Sequence, residues 1–255
     1  MRKIVFFDID GTLLDENKNL PPKTKEAVQK LRESGVYVAI ATGRAPFMFE
    51  DLRKLLGINT YVAFNGQYVV FENRLVYANP LDKEELAKLL SKSRKKGHPL
   101  VFMDEKTMKS TVSYNRFIKD SLASLHFPHP EKDESYYLRR DIYQTLLFCE
   151  EAEEEYYYAF KNFRFVRWHP YSVDILPHGG SKAEGIKKLI NKLGFQMEDV
   201  YAFGDGLNDM EMLGEVGTGV AMGNAPDAVK KKAVYVTKSV SDNGIWHGLK
   251  ELKLI

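Results

Sequence analysis

Asp8 and Asp10 flank a single residue, directly after the apolar run Ile4 to Phe7 and directly before Gly11. The run is too short for a helix and rich in β-branched and aromatic types, so it is expected to be a strand buried on both faces of a parallel sheet. Side chains alternate along an extended backbone. Both carboxylates therefore project to one side, and Gly11 lets the main chain turn sharply beside them. A pair placed this way can divide two tasks, one carboxylate staying ionised as nucleophile or metal ligand while the other is pushed toward its protonated form and serves as general acid. D-x-D-G alone equally suits an Asx turn. The chemical reading gains weight because matching features recur at three later strand ends, the edge where open α/β sheets carry their sites.

The elements that must position these ends alternate along the chain. Behind Pro21-Pro22 and Thr24, Lys25 to Ser34 carries Ala27, Val28 and Leu31 at helical spacing and stops at Gly35. Val36 to Ala41 reads as a strand ending in Thr42-Gly43-Arg44, Pro46 opens a helix toward Leu56, and Tyr61 to Phe64 is a strand ending in Asn65-Gly66. Gln67 to Val70 and Leu75 to Tyr77 form a hairpin. Residues 81–177 then read as a separate α+β unit: helices at Leu81 to Lys96, Ser113 to Leu125 and Ala152 to Phe160, strands at Leu100 to Met103 and Tyr143 to Phe148, and a closing hairpin of Phe163 to Trp168 with Tyr171 to Leu176. Its aromatic residues, Trp168 among them, are expected to form a core and a helix interface. After His178-Gly179-Gly180 the alternation resumes. Ser181 caps a helix over Lys182 to Leu193, and the strand Val200 to Phe203 ends in Gly204-Asp205-Gly206-Leu207-Asn208-Asp209. Gly219 to Met222 and Val234 to Thr237 are further strands, and Ile245 to Leu252 is a final helix. The expected architecture is α/β: a Rossmann-like, doubly wound, mostly parallel sheet from 1–80 and 178–255, with an α+β cap domain inserted at 81–177.

Composition narrows the function classes. Of 255 residues, 44% are hydrophobic and 28% charged, as in globular chains. Lys and Arg number 37 against 35 acidic residues, which gives no global field for nucleic acid. No window approaches the roughly 18 apolar residues of a membrane span, and charges at positions 2, 3, 8 and 10 do not fit a secretory leader. One cysteine, Cys149, excludes an internal disulfide and suits a reducing, cytoplasmic setting; its apolar neighbours make it a packed thiol. The charge runs Lys92 to Lys96 and Glu150 to Glu155 read as solvated helix faces.

Taken together and in order, D-I-D-G-T-L-L, A-T-G-R, the lysine after G-G-S, G-D-G-L-N-D-M-E-M-L and A-M-G-N-A closely resemble the haloacid dehalogenase superfamily, and within it the Cof-type sugar-phosphatase-like branch. The resemblance spans essentially the whole chain. It implies a Mg²⁺-dependent phosphomonoester hydrolase acting on a small phosphorylated metabolite, a sugar phosphate, nucleotide or cofactor phosphate, with a phosphomutase or a non-catalytic phosphometabolite-binding regulator as alternatives. By the same resemblance Asp8 is the nucleophile, forming an aspartyl-phosphate, and Asp10 is the general acid and base. Asp8, Asp205 and the main-chain carbonyl of Asp10 hold the metal. Thr42, Lys182, the N–H groups of Ile9 and Gly43, and the Asn208 amide cradle the phosphate. Asp209 orients Lys182 or metal-bound water. Arg44 touches phosphate or substrate, or pairs with a carboxylate of the inserted unit. Ala183 and Gln67 depart from the family pattern, so the substrates of relatives do not transfer. Substrate selection is expected from the inserted unit, with a small phosphate ester as partner and neither nucleic acid nor membrane.

Overall fold

The computed structural model describes residues 2–255. From the N-terminus the elements are β1 (Ile4–Phe7), α1 (Pro22–Glu33), β2 (Tyr37–Ala41), α2 (Glu50–Leu56), β3 (Thr60–Ala63), β4 (Tyr68–Phe71) and β5 (Arg74–Ala78). Next come α3 (Lys83–Lys96), β6 (Leu100–Met103), β7 (Met108–Ser110), α4 (Arg116–Ala123), α5 (Tyr136–Arg139), β8 (Gln144–Phe148), β9 (Phe163–His169) and β10 (Ser172–Pro177). The chain ends with α6 (Lys182–Leu193), β11 (Val200–Gly204), α7 (Met210–Glu215), β12 (Thr218–Ala221), α8 (Asp227–Lys230), β13 (Tyr235–Val236) and α9 (Gly244–Glu251). It divides into two compact units, one comprising the chain up to Arg44, Met48–Tyr77 and Ser181–Ile255, the other Ala45–Phe47 and Ala78–Gly180. Among the described residues no helix is long and apolar enough to cross a membrane.

The first unit holds an eight-stranded sheet in the order β13-β12-β11-β1-β2-β3-β4-β5. Strands β1, β2, β3, β11, β12 and β13 pair in parallel, and β4 joins β3 antiparallel. This is the doubly wound, mostly parallel architecture that the alternation of elements implies. On one face Ile4, Phe6, Ala39 and Ala202 pack against Ile186 and Leu189 of α6 and Met212 and Leu213 of α7. On the other, the rings of Phe7 and Phe203 lie 5.2 Å apart beneath α9. Each of the isoleucine, leucine, methionine and phenylalanine side chains among these contributes about 1.5–3 kcal/mol by leaving water. Helix α6 begins where Ser181 Oγ accepts the Glu184 N–H at 3.2 Å and ends at Gly194 in the left-handed region. Because β11, β1, β2 and β3 are neighbours, the residues after each of them gather at one edge.

The second unit carries an antiparallel five-stranded sheet, β7-β6-β8-β10-β9. Its core joins Leu86, Leu89 and Leu90 of α3 to Leu100, Phe102, Leu147, Tyr157 and Val173. Several expectations need correction here. The helix expected at Ala152 to Phe160 is a 3-10 segment, Glu151–Tyr157, closed by reciprocal bonds between Glu150 and Glu153. The acidic run is not a free face: Glu154 is buried and bonded to Arg167, and Glu153 reaches His98 at 3.1 Å. Strand β7 and helix α5 were not foreseen. Cys149 is a buried thiol, pushed up to about 11 by burial against the opposing pull of Arg167.

Asp174 of β10 is the ionisable group that burial perturbs most in this unit's sheet. Burial pushes its carboxyl up to about 7, with Gln144 and Trp168 pulling the other way. An unfolded Asp releases its proton near 3.8. Between roughly pH 4 and pH 7 the folded chain therefore binds more protons, and the free energy of unfolding falls as pH rises through that window. Asp174→Asn should remove this slope. In urea melts at pH 5 and pH 7.5, the natural chain is expected to lose more stability between the two than the variant does.

Candidate active site

Asp8 follows β1 with its N–H bonded to the Phe203 carbonyl at 2.9 Å, which ties the end of β1 to β11. Its Oδ1 accepts from Lys182 Nζ at 2.5 Å, and the same ammonium donates to Asp209 Oδ1 at 2.7 Å. Lys182 is 1% exposed and Asp209 0%. Burial disfavours the ammonium, but Asp209 and Asp8 outweigh it and raise the Lys182 pKa. Asp209 Oδ2 accepts the N–H groups of Asp205 and Gly206 at 3.0 and 2.9 Å, so both of its oxygens are engaged and it fixes Lys182 in place.

Asp205 accepts from Thr12 Oγ1 at 2.9 Å and from Asn224 Nδ2 at 3.1 Å. Gly11, at φ +77°, is required beside it: a Cβ there would stand 2.1 Å from Asp205 Oδ2. Gly66, at φ +97°, does the same for α6, since a Cβ would lie 2.0 Å from the Ser181 carbonyl that precedes Lys182. The Thr42 hydroxyl, buried after β2, accepts the Arg44 N–H at 3.1 Å and keeps its own proton to donate. Gly43 packs against the Asn65 side chain, which accepts from Asn208 Nδ2 at 3.4 Å. The Ile9 carbonyl holds the loop through the Leu14 N–H at 2.8 Å.

Arg44 donates to Asp10 through Nε at 2.8 Å and Nη2 at 2.6 Å, and Lys18 Nζ joins at 2.6 Å. Burial would raise the Asp10 carboxyl, yet Arg44 and Lys18 together hold it below the usual carboxylate range. Asp8 is pushed up to about 8, by burial first, with Asp209 and Asp10 adding repulsion and Lys182 opposing. Lys18, Thr12 and Asn224 belong to the site without having been assigned to it. Thr12 and Asn224 stood inside recurring motifs, whereas Lys18 carried no signal beyond its charge.

Carboxylate oxygens of Asp8, Asp205 and Asp209 lie within 4.8 Å of one another. With Asp209 committed to Lys182 and two backbone N–H groups, the other oxygen of Asp8 and the Asp205 carboxylate are left to bind a cation. Burial pushes Asp205 up to about 6, with Thr12 opposing, so it is an acid that gains from a positive neighbour. An all-oxygen donor set of this kind fits a hard divalent cation.

The profile of the haloacid dehalogenase-like hydrolases matches residues 5–249. Together with the fold and the site, this places the chain in the haloacid dehalogenase-like hydrolase family, as a Cof-type phosphatase. The Bacillus subtilis (strain 168) protein named "Putative phosphatase YkrA" is 49% identical over 253 residues, 99% of this chain and 98% of that one. A solved hypothetical protein from Geobacillus kaustophilus HTA426 is 61% identical over 100% of both chains, with a TM-score of 0.97. The HAD subclass IIB sugar phosphatase BT4131 is 31% identical over 99% of this chain and 100% of that one, with a TM-score of 0.85.

The buried triad yields a stability prediction. Asp209→Ala strands a buried ammonium with one partner and unpairs two backbone N–H groups, an expected loss of about 3–5 kcal/mol. The urea midpoint of the first unit's unfolding measures it, and a loss below about 1 kcal/mol contradicts the account.

Proposed function

We propose that this phosphatase hydrolyses phosphomonoesters of small metabolites through a covalent intermediate on Asp8, with Mg²⁺ as the bound cation. The observation that carries the proposal is the convergence of Asp8, Lys182, Asp205 and Asp209 at one sheet edge, a buried carboxylate held by a fixed cation with the Asp205 carboxylate close by. When bound, Mg²⁺ would neutralise negative charge between the nucleophile and the phosphoryl oxygens. Asp8 and Asp205, with the Asp10 carbonyl, would hold it.

In the first step an Asp8 oxygen attacks phosphorus, the bond to the leaving oxygen breaks, and Asp10 gives that oxygen a proton. In the second step water attacks the aspartyl-phosphate, Asp10 takes the water's proton, and Asp8 is restored with release of inorganic phosphate. Thr42, Lys182, Asn208 and the N–H groups of Ile9 and Gly43 bind the phosphoryl oxygens. Arg44 holds Asp10 ionised in the unliganded site. For Asp10 to carry a proton, Arg44 must leave it, and a phosphate dianion is a competing partner for the same guanidinium. Arrival of substrate thus arms the acid.

Residues 81–177, inserted between the halves of the catalytic unit, act as a cap that selects the leaving group. The relatives include a 5-amino-6-(5-phospho-D-ribitylamino)uracil phosphatase and a pyridoxal phosphate phosphatase, alongside the sugar phosphatase above. Their range supports a small phosphorylated metabolite as substrate, met in the cytoplasm.

Phosphate release from a panel of phosphorylated metabolites, with and without Mg²⁺, tests the proposal. Turnover is expected to require the cation and to fall by at least about three orders of magnitude in Asp8→Asn. Conversion of substrate to a phosphorylated isomer, or tight binding without release, would overturn it.

A further inference from the structure

The chain carries a basic run, Lys92 to Lys96, and an acidic run, Glu150 to Glu155, on segments that pack against one core. Opposite charges placed this way could neutralise each other, but they do not. Glu153 is taken by His98 at 3.1 Å and by the Glu150 N–H at 3.0 Å, and Glu154 is taken by Arg167. On the basic side Arg94 pairs with Glu134, whereas no carboxylate stands within ion-pair distance of Lys92, Lys95 or Lys96 among the described residues. What the acidic segment offers these lysines is aromatic. The Lys96 ammonium lies 3.6 Å from the centre of the Tyr156 ring, and that of Lys92 lies 5.9 Å from the centre of Phe160.

The result is a cleft of about 470 Å³ lined by Lys88, Ser91, Lys92, Lys95, Lys96 and Phe160. One wall follows from helical spacing. Leu86, Leu89, Leu90 and Ser93 turn α3 toward the core, so the lining residues of the helix, three and four apart, form its opposite face. From residue 88 to residue 96 that face presents ammonium groups along about 12 Å of helix. The other wall is Phe160, half-buried and stacked nearly parallel on Phe163 at 5.9 Å, which holds its ring in place. The lining has no carboxylate, imidazole or thiol. It offers neither metal ligands nor a base, and so suits binding without chemistry. All six lining residues belong to the second unit.

A ligand matched to this cleft carries several negative charges in a row and one flat apolar face. Each exposed ammonium attracts an anion weakly in water, so the charges must be closely spaced for several lysines to act on them together. A run of phosphates has that spacing and accepts from every ammonium it meets. The flat face belongs on Phe160 and on the apolar stems of the lysines. An acidic peptide spreads its charges and brings no ring. A single strand of nucleic acid needs successive rings along a continuing basic groove, whereas this cleft has one ring and the volume of one small ligand. We propose that the cleft is a binding site for a nucleotide, a base carrying a run of phosphates, and that it shares no residue with the catalytic edge. The proposal does not depend on the hydrolase reading.

The test is calorimetry on the full chain with the β,γ-imido analogues of adenosine and guanosine triphosphate, which resist hydrolysis, and with inorganic tripolyphosphate. The analogues are expected to bind, more weakly as NaCl is raised. The double variant Lys92→Gln/Lys95→Gln should weaken the analogues and tripolyphosphate alike, at least about tenfold. Phe160→Leu should weaken the analogues at least about fivefold and leave tripolyphosphate where it was, since only the base meets the ring. The double variant changes side chains outside the core and reads the site even if Phe160→Leu folds poorly. Absence of nucleotide binding, or binding that both variants leave intact, as binding at the catalytic edge alone would be, overturns the proposal. So does tighter binding of a single-stranded oligonucleotide than of either mononucleotide analogue, or binding to vesicles of anionic lipid with none to nucleotide. Every readout is binding and none is turnover, so failure here leaves the hydrolase reading standing, and absence of phosphate release from every ester leaves this proposal standing.

Discussion

The catalytic unit depends on one buried ammonium. Taking a lysine out of water costs several kcal/mol, and Lys182 keeps its charge because carboxylates stand at 2.5 and 2.7 Å. At such distances each attraction is worth about 6 kcal/mol at an effective dielectric near 20. The arrangement requires the first residue of α6, the end of β1 and the loop after β11 to meet within hydrogen-bonding reach. Ser181 starts the helix at the right residue, Gly66 lets it approach the end of β3, and Asp209 braces the loop by holding the Asp205 and Gly206 N–H groups. Loosening any one of these would leave a charge without its partner.

The parallel strands were legible because each is a short apolar run ending in polar and glycine residues, with helical patterns between them. Asp8, Lys182, Asp205 and Asp209 were legible as a group because they fall at those ends. Less legible was whatever tertiary contact decides. Glu151–Tyr157 has helix-forming composition, but it is anchored by Glu154 to Arg167 and Glu153 to His98, and those long-range bonds fit a 3-10 segment. Strand β7 has three residues, too few for a period. The pairing of Arg44 with Asp10 spans 34 positions, and Lys18 reaches Asp10 from a loop residue at φ +62°, a conformation that its side chain does not advertise.

Charge balance explains why cation and substrate should bind together. Around the catalytic edge the carboxylates of Asp8, Asp10, Asp205 and Asp209 face the cations Lys18, Arg44 and Lys182, one negative charge in excess when all are ionised. That excess adds to burial in pushing Asp8 and Asp205 upward. A divalent cation would turn the balance to one positive charge, and a phosphate dianion would then turn it back to one negative. Each ligand thus improves the field for the other, and linkage makes the gain mutual. The cation also lowers the cost of ionising Asp8, and the dianion competes with Asp10 for Arg44, so the two carboxylates exchange protonation states only when both ligands are present. On the proposed mechanism, a site tuned this way stays quiescent when empty and acquires its nucleophile and its acid in the same binding event.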